Sequence, residues 1–301
     1  MVRASIDIGS NTILLLVAKV SSDEMEVLHD EVFVTGLGRG IDKTKKFCSE
    51  AMNDSMNALL KCREIIDNFH TKISKKIITA TEASRVVSNA KSFFKKIEME
   101  LNCPVQIITA KEEAYYTGLG VSICKRVEKV DENCVLMDIG GASTELMMVQ
   151  LKPYEMIKST SLPLGSVRGT DWYFDDCFES NLNNILKDFD LGSFSGSALI
   201  GVAGTITLMS CMIFNKKEFD EKFINNCLIS IDEIEHLFKS IRDLDSDEIL
   251  KKYPISGKRS KTIKAGIHIC LLIARQLNIK NIKVSTYGLR HGTAFKGEIN
   301  G

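Results

Sequence analysis

The sequence predicts an α/β protein of two domains, each a mixed sheet flanked by helices, with an active cleft between them. Three observations carry this expectation. The chain of 301 residues suits two domains of about 150 residues each. Strand and helix patterns alternate along most of it. One supersecondary unit (strand, Asp-Ile-Gly, tight turn, strand) occurs twice, first around SIDIGSNT from Ser5 and again around LMDIGGAST from Leu136.

The first third opens with short apolar runs at residues 4–7, 13–20 and 26–34, joined by Gly-Ser-Asn and Ser-Ser-Asp turns, which read as an antiparallel three-stranded meander. Met52, Met56, Leu59, Leu60, Ile65 and Ile66 then recur at helical spacing, so residues 50–69 form a helix, with Ser49 as its cap. A strand at 77–80, a helix at 89–101, a strand at 105–109 and a helix at 111–124 follow. The charged stretch 126–133 is the expected boundary, giving domains 1–125 and 126–301. The second half repeats the meander at 134–139, 144–149 and 155–162. A helical region at 167–186, a strand at 198–202, mostly helix to Leu277 and a strand at 282–285 complete the sheet. The last helix, about 287–301, packs back on the first domain in this reading.

Composition narrows the function. Hydrophobic residues make up 44% of the chain and charged residues 26%, enough for a sizeable core and against disorder on a large scale. Lys plus Arg equals Asp plus Glu at 39 each, so no overall field draws in nucleic acid or an anionic membrane. A polyanion site must therefore be local. No apolar run approaches a membrane span, and the N-terminus lacks the pattern of a signal peptide. The nine cysteines form no C-x-x-C pair and no zinc cluster with histidine, so a reduced, cytoplasmic protein is expected.

The duplicated hairpins carry the chemistry. In Asp7-Ile8-Gly9-Ser10-Asn11-Thr12 an Asp closes a strand, a Gly lets backbone and ligand approach, and successive N–H groups can form an anion nest. Taken alone, this segment is equally a plain hairpin turn. The second copy, Asp138-Ile139-Gly140-Gly141-Ala142-Ser143-Thr144-Glu145, shifts the balance, because two such turns can clamp one phosphate chain. Asp138 and Glu145 flank their turn, and hard carboxylate oxygens there suit magnesium bridging phosphate oxygens.

These hairpins resemble those of the actin, sugar kinase and heat-shock ATPase superfamily, and their wording resembles its exopolyphosphatase and guanosine pentaphosphate phosphatase (Ppx/GppA) branch. RASIDIGSNTILLLV is similar to that family's first phosphate segment. DIGGASTEL is similar to its second, with Ala142 where a third Gly is usual. TATEASRVVSNA, ITAKEEAYYTGLGV, GVAGTITLM and STYGLRHG resemble further blocks in the family's order, so the likeness runs from Arg3 to Gly292. The resemblance implies two actin-like (ribonuclease H-like) domains and a magnesium-dependent phosphohydrolase. Its substrate would be inorganic polyphosphate or the guanosine polyphosphate pppGpp.

Carried over by position, the resemblance makes Glu113 the general base for the attacking water and Arg85 the arginine that reaches the phosphate. On chemistry alone Glu113 is a helix N-terminal carboxylate favoured by the dipole. Beside a phosphate chain, like charge would raise its proton affinity toward that of a useful base. Asp138 and Glu145 take the metal role, while Gly204 and Thr205 offer donors from a further turn. Arg259 lies in a stretch, 251–264, with six cations and no acid, which is either a solvated face or a polyphosphate groove. Tyr115 and Gly36 stand where the family commonly has Arg. The chain lacks the extra C-terminal domains of longer members, so short chains or nucleotides are the expected substrates. A homodimer lengthening the basic track is compatible with the sequence. The five histidines form no metal spacing, and His291 reads as structural. The rivals are an ATP-dependent kinase of the same superfamily and a non-catalytic sensor of guanosine alarmones.

Overall fold

The computed structural model describes residues 1–124, 133–194 and 198–299. The chain divides into two compact units, Met1–Ile123 with Gly288–Gly301, and Cys124–Tyr287. Of the expected boundary at 126–133, all but Asn133 lies outside the described residues. Each unit is α/β, a mixed sheet flanked by helices.

In the first unit β1 (Val2–Ile8), β2 (Thr12–Val20) and β3 (Met25–Val34) form the antiparallel meander. β4 (Lys75–Ala80) and β5 (Val105–Ile107) add in parallel, giving the order β3-β2-β1-β4-β5. β1 is central and buried throughout except at Arg3, so its apolar residues need not alternate with exposed polar ones. The helices are α1 (Ile41–Thr44), α2 (Ser49–Asp67), α3 (Glu82–Val86), α4 (Ala90–Leu101) and α5 (Ala110–Ser122). Ser49 does not cap α2. It is the first helical residue, and Cys48 precedes it with no side-chain cap bond. The short α3 has no periodicity to betray it, yet it carries Arg85.

α5 begins one turn from the end of β5 through a reciprocal cap. The Thr109 hydroxyl accepts from the Glu112 N–H at 3.2 Å, and the Glu112 carboxylate accepts from the Thr109 N–H at 2.7 Å. Thr109, expected inside a strand, is therefore the helix cap that sets the position of Glu113 in the first turn.

The second unit repeats the theme with β6 (Cys134–Ile139), β7 (Thr144–Leu151) and β8 (Tyr154–Leu162). The helical region expected at 167–186 is made of two helices, α6 (Ser166–Phe174) and α7 (Phe178–Lys187). Asp176 turns left-handed at φ 53°, and the Cys177 N–H bonds back to the Trp172 carbonyl at 2.9 Å, which ends α6. After β9 (Leu199–Val202) come α8 (Ala203–Ile213), α9 (Glu221–Ile224), β10 (Leu228–Ser230), α10 (Ile231–Ile241) and α11 (Ser246–Lys252). α12 (Ile263–Gln276) and β11 (Asn281–Val284) close the unit. The sheet order is β10-β11-β9-β6-β7-β8, with β10 a short edge strand that the sequence reading missed. Met137, Ile139, Leu146, Ile206, Met209, Ile267 and Cys270 belong to one core between sheet and helices. Each large apolar side chain buried there stabilises the unit by roughly 1.5–3 kcal/mol.

Finally α13 (Leu289–Lys296) completes the first unit by crossing α5 at glycines. A Cβ on Gly120 or Gly292 would strike the backbone of the other helix region, at Gly288 and Tyr116 respectively. Arg3 from β1 caps its end, donating through Nη1 to the Ala294 carbonyl at 2.8 Å, and Ser5 bonds Thr293 side chain to side chain at 2.7 Å. The nine cysteines are free, and burial pushes the Cys270 thiol up to about 12, so it behaves as a core hydrophobe. Among the described residues no helix is long and apolar enough to cross a membrane.

Candidate active site

The tip of the first hairpin is closed by the Gly9 N–H on the Thr12 carbonyl at 2.9 Å. Gly9 does not have positive φ. A Cβ there would sit 3.1 Å from that carbonyl oxygen, a tight contact that the turn would have to relax by a few tenths of an ångström. The loop after β3 braces the tip from behind. Thr35 and Gly36 N–H groups both donate to the Asn11 carbonyl at 3.0 Å, and the Gly38 N–H donates to the Ser10 carbonyl at 2.7 Å. Holding these two carbonyls to the loop fixes the orientation of the tip peptides, which is what a backbone anion nest needs. Gly36 has φ 63°, so the arginine common at this place in the family would be strained here.

Asp7, in β1 just before the turn, is buried, and its Oδ1 finds no hydrogen-bond partner. Burial pushes its carboxyl up to about 7, while the Arg290 guanidinium acts in the opposite sense. Arg290 is itself held by Asp30, donating from Nε at 3.1 Å and Nη2 at 2.7 Å. As an anion Asp7 would repel phosphate, so its place in a phosphate hairpin requires a proton or a bridging cation. His291 beside Arg290 is buried and accepts the Gly288 N–H at Nδ1, 3.2 Å away. Burial first, and Arg290 second, hold its ring well below the usual histidine range, which fits the structural role expected of it.

Arg85 and Glu113, 28 residues apart in sequence, meet in the first unit. Arg85 Nη1 donates to Glu113 Oε2 at 3.1 Å and to the Ile108 carbonyl at 2.6 Å, and Nη2 donates to Glu82 at 2.8 Å. The Glu113 side chain is 11% exposed, Glu82 18% and Arg85 20%, so the three charges interact with little screening by solvent. Burial disfavours the guanidinium charge, but Glu113 and then Glu82 outweigh it and hold Arg85 more firmly protonated than a free arginine. Sequence reading named Arg85 and Glu113 and missed Glu82. Its i,i+3 spacing to Arg85 is the signal that could have found it.

The second hairpin closes in the same way, with the Gly140 N–H on the Ser143 carbonyl at 3.0 Å. Its bracing differs. The start of α6 points at the tip: the Ser166 N–H donates to the Gly140 carbonyl at 2.9 Å, and Val167 and Arg168 N–H groups donate to the Gly141 carbonyl at 2.8 and 3.1 Å. Arg168 adds a side-chain bond from Nη1 to the Ala142 carbonyl. These helix amides therefore serve the protein's own turn. The Thr144 hydroxyl donates to the Leu164 carbonyl at 2.5 Å, so it too supports the hairpin.

Asp138 and Glu145 are directly opposed across the β6–β7 pair, so their side chains leave the same face of the sheet. Ser161, which the sequence reading missed, donates to Glu145 Oε1 at 2.8 Å from the neighbouring strand β8. Among the described residues no three His, Cys, Asp or Glu side chains gather closely enough to hold a metal ion. Two carboxylates on one face still suit magnesium, which commonly takes one or two carboxylates and completes its shell with water and phosphate oxygens.

Thr205, expected to offer a hydroxyl donor, uses that hydroxyl on the Ile139 carbonyl at 3.0 Å, which ties the start of α8 to β6. Arg259, in the 3-10 segment Pro254–Lys261, lies against Gly204, donating from Nη1 to its carbonyl at 3.1 Å. A Cβ on Gly204 would fall 2.5 Å from the guanidinium carbon. The basic track is also partly engaged. Lys252 donates to the Ser240 carbonyl at 2.9 Å, and Lys264 to the Arg242 and Leu244 carbonyls at 3.1 and 2.9 Å, all around the end of α10. Lys251, Lys258 and Lys261 remain exposed.

Comparison with known proteins places this geometry among relatives. The profile of the Ppx/GppA phosphatase family matches residues 16–299, which takes in Arg85, Glu113, the second hairpin and Arg259 and begins beyond the first tip. The bifunctional 3-dehydroquinate synthase/phosphatase of Fusobacterium nucleatum is 31% identical over 286 residues, 88% of this chain. The match spans only 42% of that relative's length. Among solved structures, a Ppx/GppA family member from Aquifex aeolicus superposes with a TM-score of 0.77 at 26% identity, covering 97% of this chain and 96% of that one. An exopolyphosphatase from Cytophaga hutchinsonii superposes with a TM-score of 0.78 at 25% identity, with the same coverage of 97% and 96%.

Proposed function

This chain belongs to the Ppx/GppA phosphatase family, and from that premise we propose that it is a magnesium-dependent phosphohydrolase releasing the terminal phosphate of inorganic polyphosphate or pppGpp. The observation that carries the reading is the low-exposure pairing of Glu113 with Arg85 in the first unit. Glu113 is the general base. It accepts a proton from water as the water oxygen bonds the terminal phosphorus and the bridging P–O bond breaks in line, the electron pair leaving with the shortened chain. Arg85 meets the charge on the phosphoryl oxygens with the N–H groups it does not use on Glu113, Glu82 and Ile108.

The Gly9 and Gly140 N–H groups close their own turns, and the tip peptides that follow each glycine supply the backbone donors, with the Ser10 and Asn11 carbonyls tied to the loop at 35–38 and the Gly140 and Gly141 carbonyls tied to α6. Positioning of this kind supplies much of phosphoryl-transfer catalysis. Asp138 and Glu145 would hold magnesium, which when bound offsets phosphate charge. Polyphosphate is supported by the exopolyphosphatase among the structural relatives.

The test is phosphate release with magnesium from short polyphosphate, long polyphosphate, pppGpp and ATP, with Glu113→Gln alongside. Release that Gln lowers by about 10²–10⁴-fold is the expected result. Release from none of them, with guanosine alarmone binding intact, overturns the hydrolase in favour of a sensor. ADP formed from ATP alone, with the phosphoryl group passed to an added acceptor alcohol and no free phosphate released, would indicate a kinase.

A further inference from the structure

We infer that Glu82 is a positioning residue: it clamps Arg85 so that one nitrogen stays on Glu113 while the remaining N–H groups are presented to an incoming phosphoryl oxygen. The inference rests on the reading of Glu113 and Arg85 given above. It starts from the donors of the guanidinium. Nη1 uses both hydrogens, one on Ile108 and one on Glu113. Nη2 uses one on Glu82. That leaves the Nε–H and the second Nη2–H without an acceptor among the described residues.

A guanidinium is planar, so fixing both terminal nitrogens fixes its plane and the direction of the two unused hydrogens. Ile108 and Glu113 both act on Nη1, so without a third acceptor the planar group can still swing about the line joining those two. The Glu82 bond at 2.8 Å is the second anchor, and it is shorter than the 3.1 Å bond to Glu113.

The two anchors come from different places. Glu82 lies on α3, three residues before Arg85, so it travels with the arginine. Ile108 and Glu113 come from the segment that the Thr109–Glu112 cap holds in place. Arg85 joins α3 to the start of α5 through Nη1, and Glu82 holds its other terminal nitrogen from within α3. The carboxylate has a second consequence. With Glu82 absent, the freed Nη2 would turn to the other carboxylate within reach, Glu113, and form the bidentate pair that arginine and carboxylate favour. Both the base and the phosphate donors would then be engaged by each other. Glu82 keeps them apart as working groups.

The experiment compares wild type, Glu82→Ala, Glu82→Gln and, for a variant that keeps side-chain length without an acceptor, Glu82→Met. Two readouts are used. The first is kcat and KM for short polyphosphate with magnesium, per folded molecule. Ala and Met should lower kcat about tenfold with KM within about twofold, and Gln, whose amide oxygen can accept the same bond, should restore most of it. The second is the nitrogen-detected NMR signal of the Arg85 guanidinium, assigned by its loss in Arg85→Lys. Its Nη hydrogens should be separately resolved in wild type and Gln, and averaged by rotation in Ala and Met. Unchanged kcat in folded Ala and Met variants, or an unchanged Arg85 signal, overturns the clamp. If wild type turns over no phosphate substrate, the hydrolase reading fails, and the Arg85 signal still decides whether Glu82 holds the arginine.

Discussion

The two Asp-Ile-Gly hairpins share a sequence theme, a register and one defining bond, from the first glycine N–H to the carbonyl of the third residue after it, at 2.9 Å in one and 3.0 Å in the other. What lies behind them differs. The first is braced by backbone amides of the loop at 35–38, the second by the opening amides of α6 and the Arg168 side chain. The first Asp is buried with one oxygen unpartnered, whereas the second faces a glutamate across the strand pair. A repeated motif thus has its chemistry set by the packing around it. One copy offers a carboxyl that burial pushes up to about 7, the other two acidic side chains facing each other across a strand pair.

The sharpest way to break this comparison is to neutralise the first Asp. Its folded carboxyl is pushed up to about 7 from an ordinary 3.8, so folding favours the protonated form. The sign follows from linkage: the penalty is absent below pH 3.8, grows as pH rises between those values, and is complete above the folded value. Asp7→Asn should therefore be more stable than wild type at pH 8, by about 3–4 kcal/mol, with the advantage shrinking toward pH 4. Thermal unfolding across that pH range measures it. Equal stability of the two proteins at pH 8 would remove the buried, unpartnered carboxylate from the account. The same variant should lose phosphate release, since it gives up the charge a bridging cation would meet.

The bracing predicts the next effect. Gly165 has extended dihedrals that alanine tolerates, but its Cβ would lie 2.5 Å from the Ala142 nitrogen and closer still to Gly141. Neither is the far end of a flexible side chain, so Gly165→Ala should destabilise by about 3 kcal/mol in urea unfolding. At the first hairpin the corresponding intrusion, Gly38→Ala, meets the Ser10 Cβ at 2.9 Å and the Ser10 carbonyl oxygen at 3.2 Å, a smaller overlap than the contacts of 2.4–2.5 Å at Gly165. About 1 kcal/mol is expected there. Similar losses at the two sites would mean that the braces are equivalent after all.

The smallest effect lies next to the second hairpin. Ala203, at the start of α8, has φ 67°, a left-handed conformation that alanine adopts at a cost. Ala203→Gly should stabilise by about 1 kcal/mol, offset in part by the freedom glycine regains when unfolded. A fall in Tm instead would mean that the methyl packing outweighs the dihedral strain.

Both meanders, both turn motifs and most of the longer strands and helices were legible in the sequence. Periodicity and turn chemistry are set within a few residues, and each of those elements announces itself locally. The elements missed were short ones: α1, α3 and β10 span too few residues to show a period. Where α6 gives way to α7 depends on one left-handed Asp. Of the candidate site, Arg85 and Glu113 were found by resemblance, and their meeting 28 residues apart needed the fold.

By itself, then, the sequence determined which residues could do the chemistry: two glycine hairpins, a carboxylate at each, and an arginine and a glutamate in matching segments. Only the tertiary structure decided how they are held. Arg168 reaches back 26 residues to Ala142, and Arg290 reaches Asp30 across 260. Lys252 and Lys264 turn from a supposed polyphosphate track to carbonyls around the end of α10. Burial leaves Asp7 without a partner for one oxygen. The reason is physical. Backbone preference acts between neighbours in the chain, while desolvation and charge act between neighbours in space, and only folding brings those together.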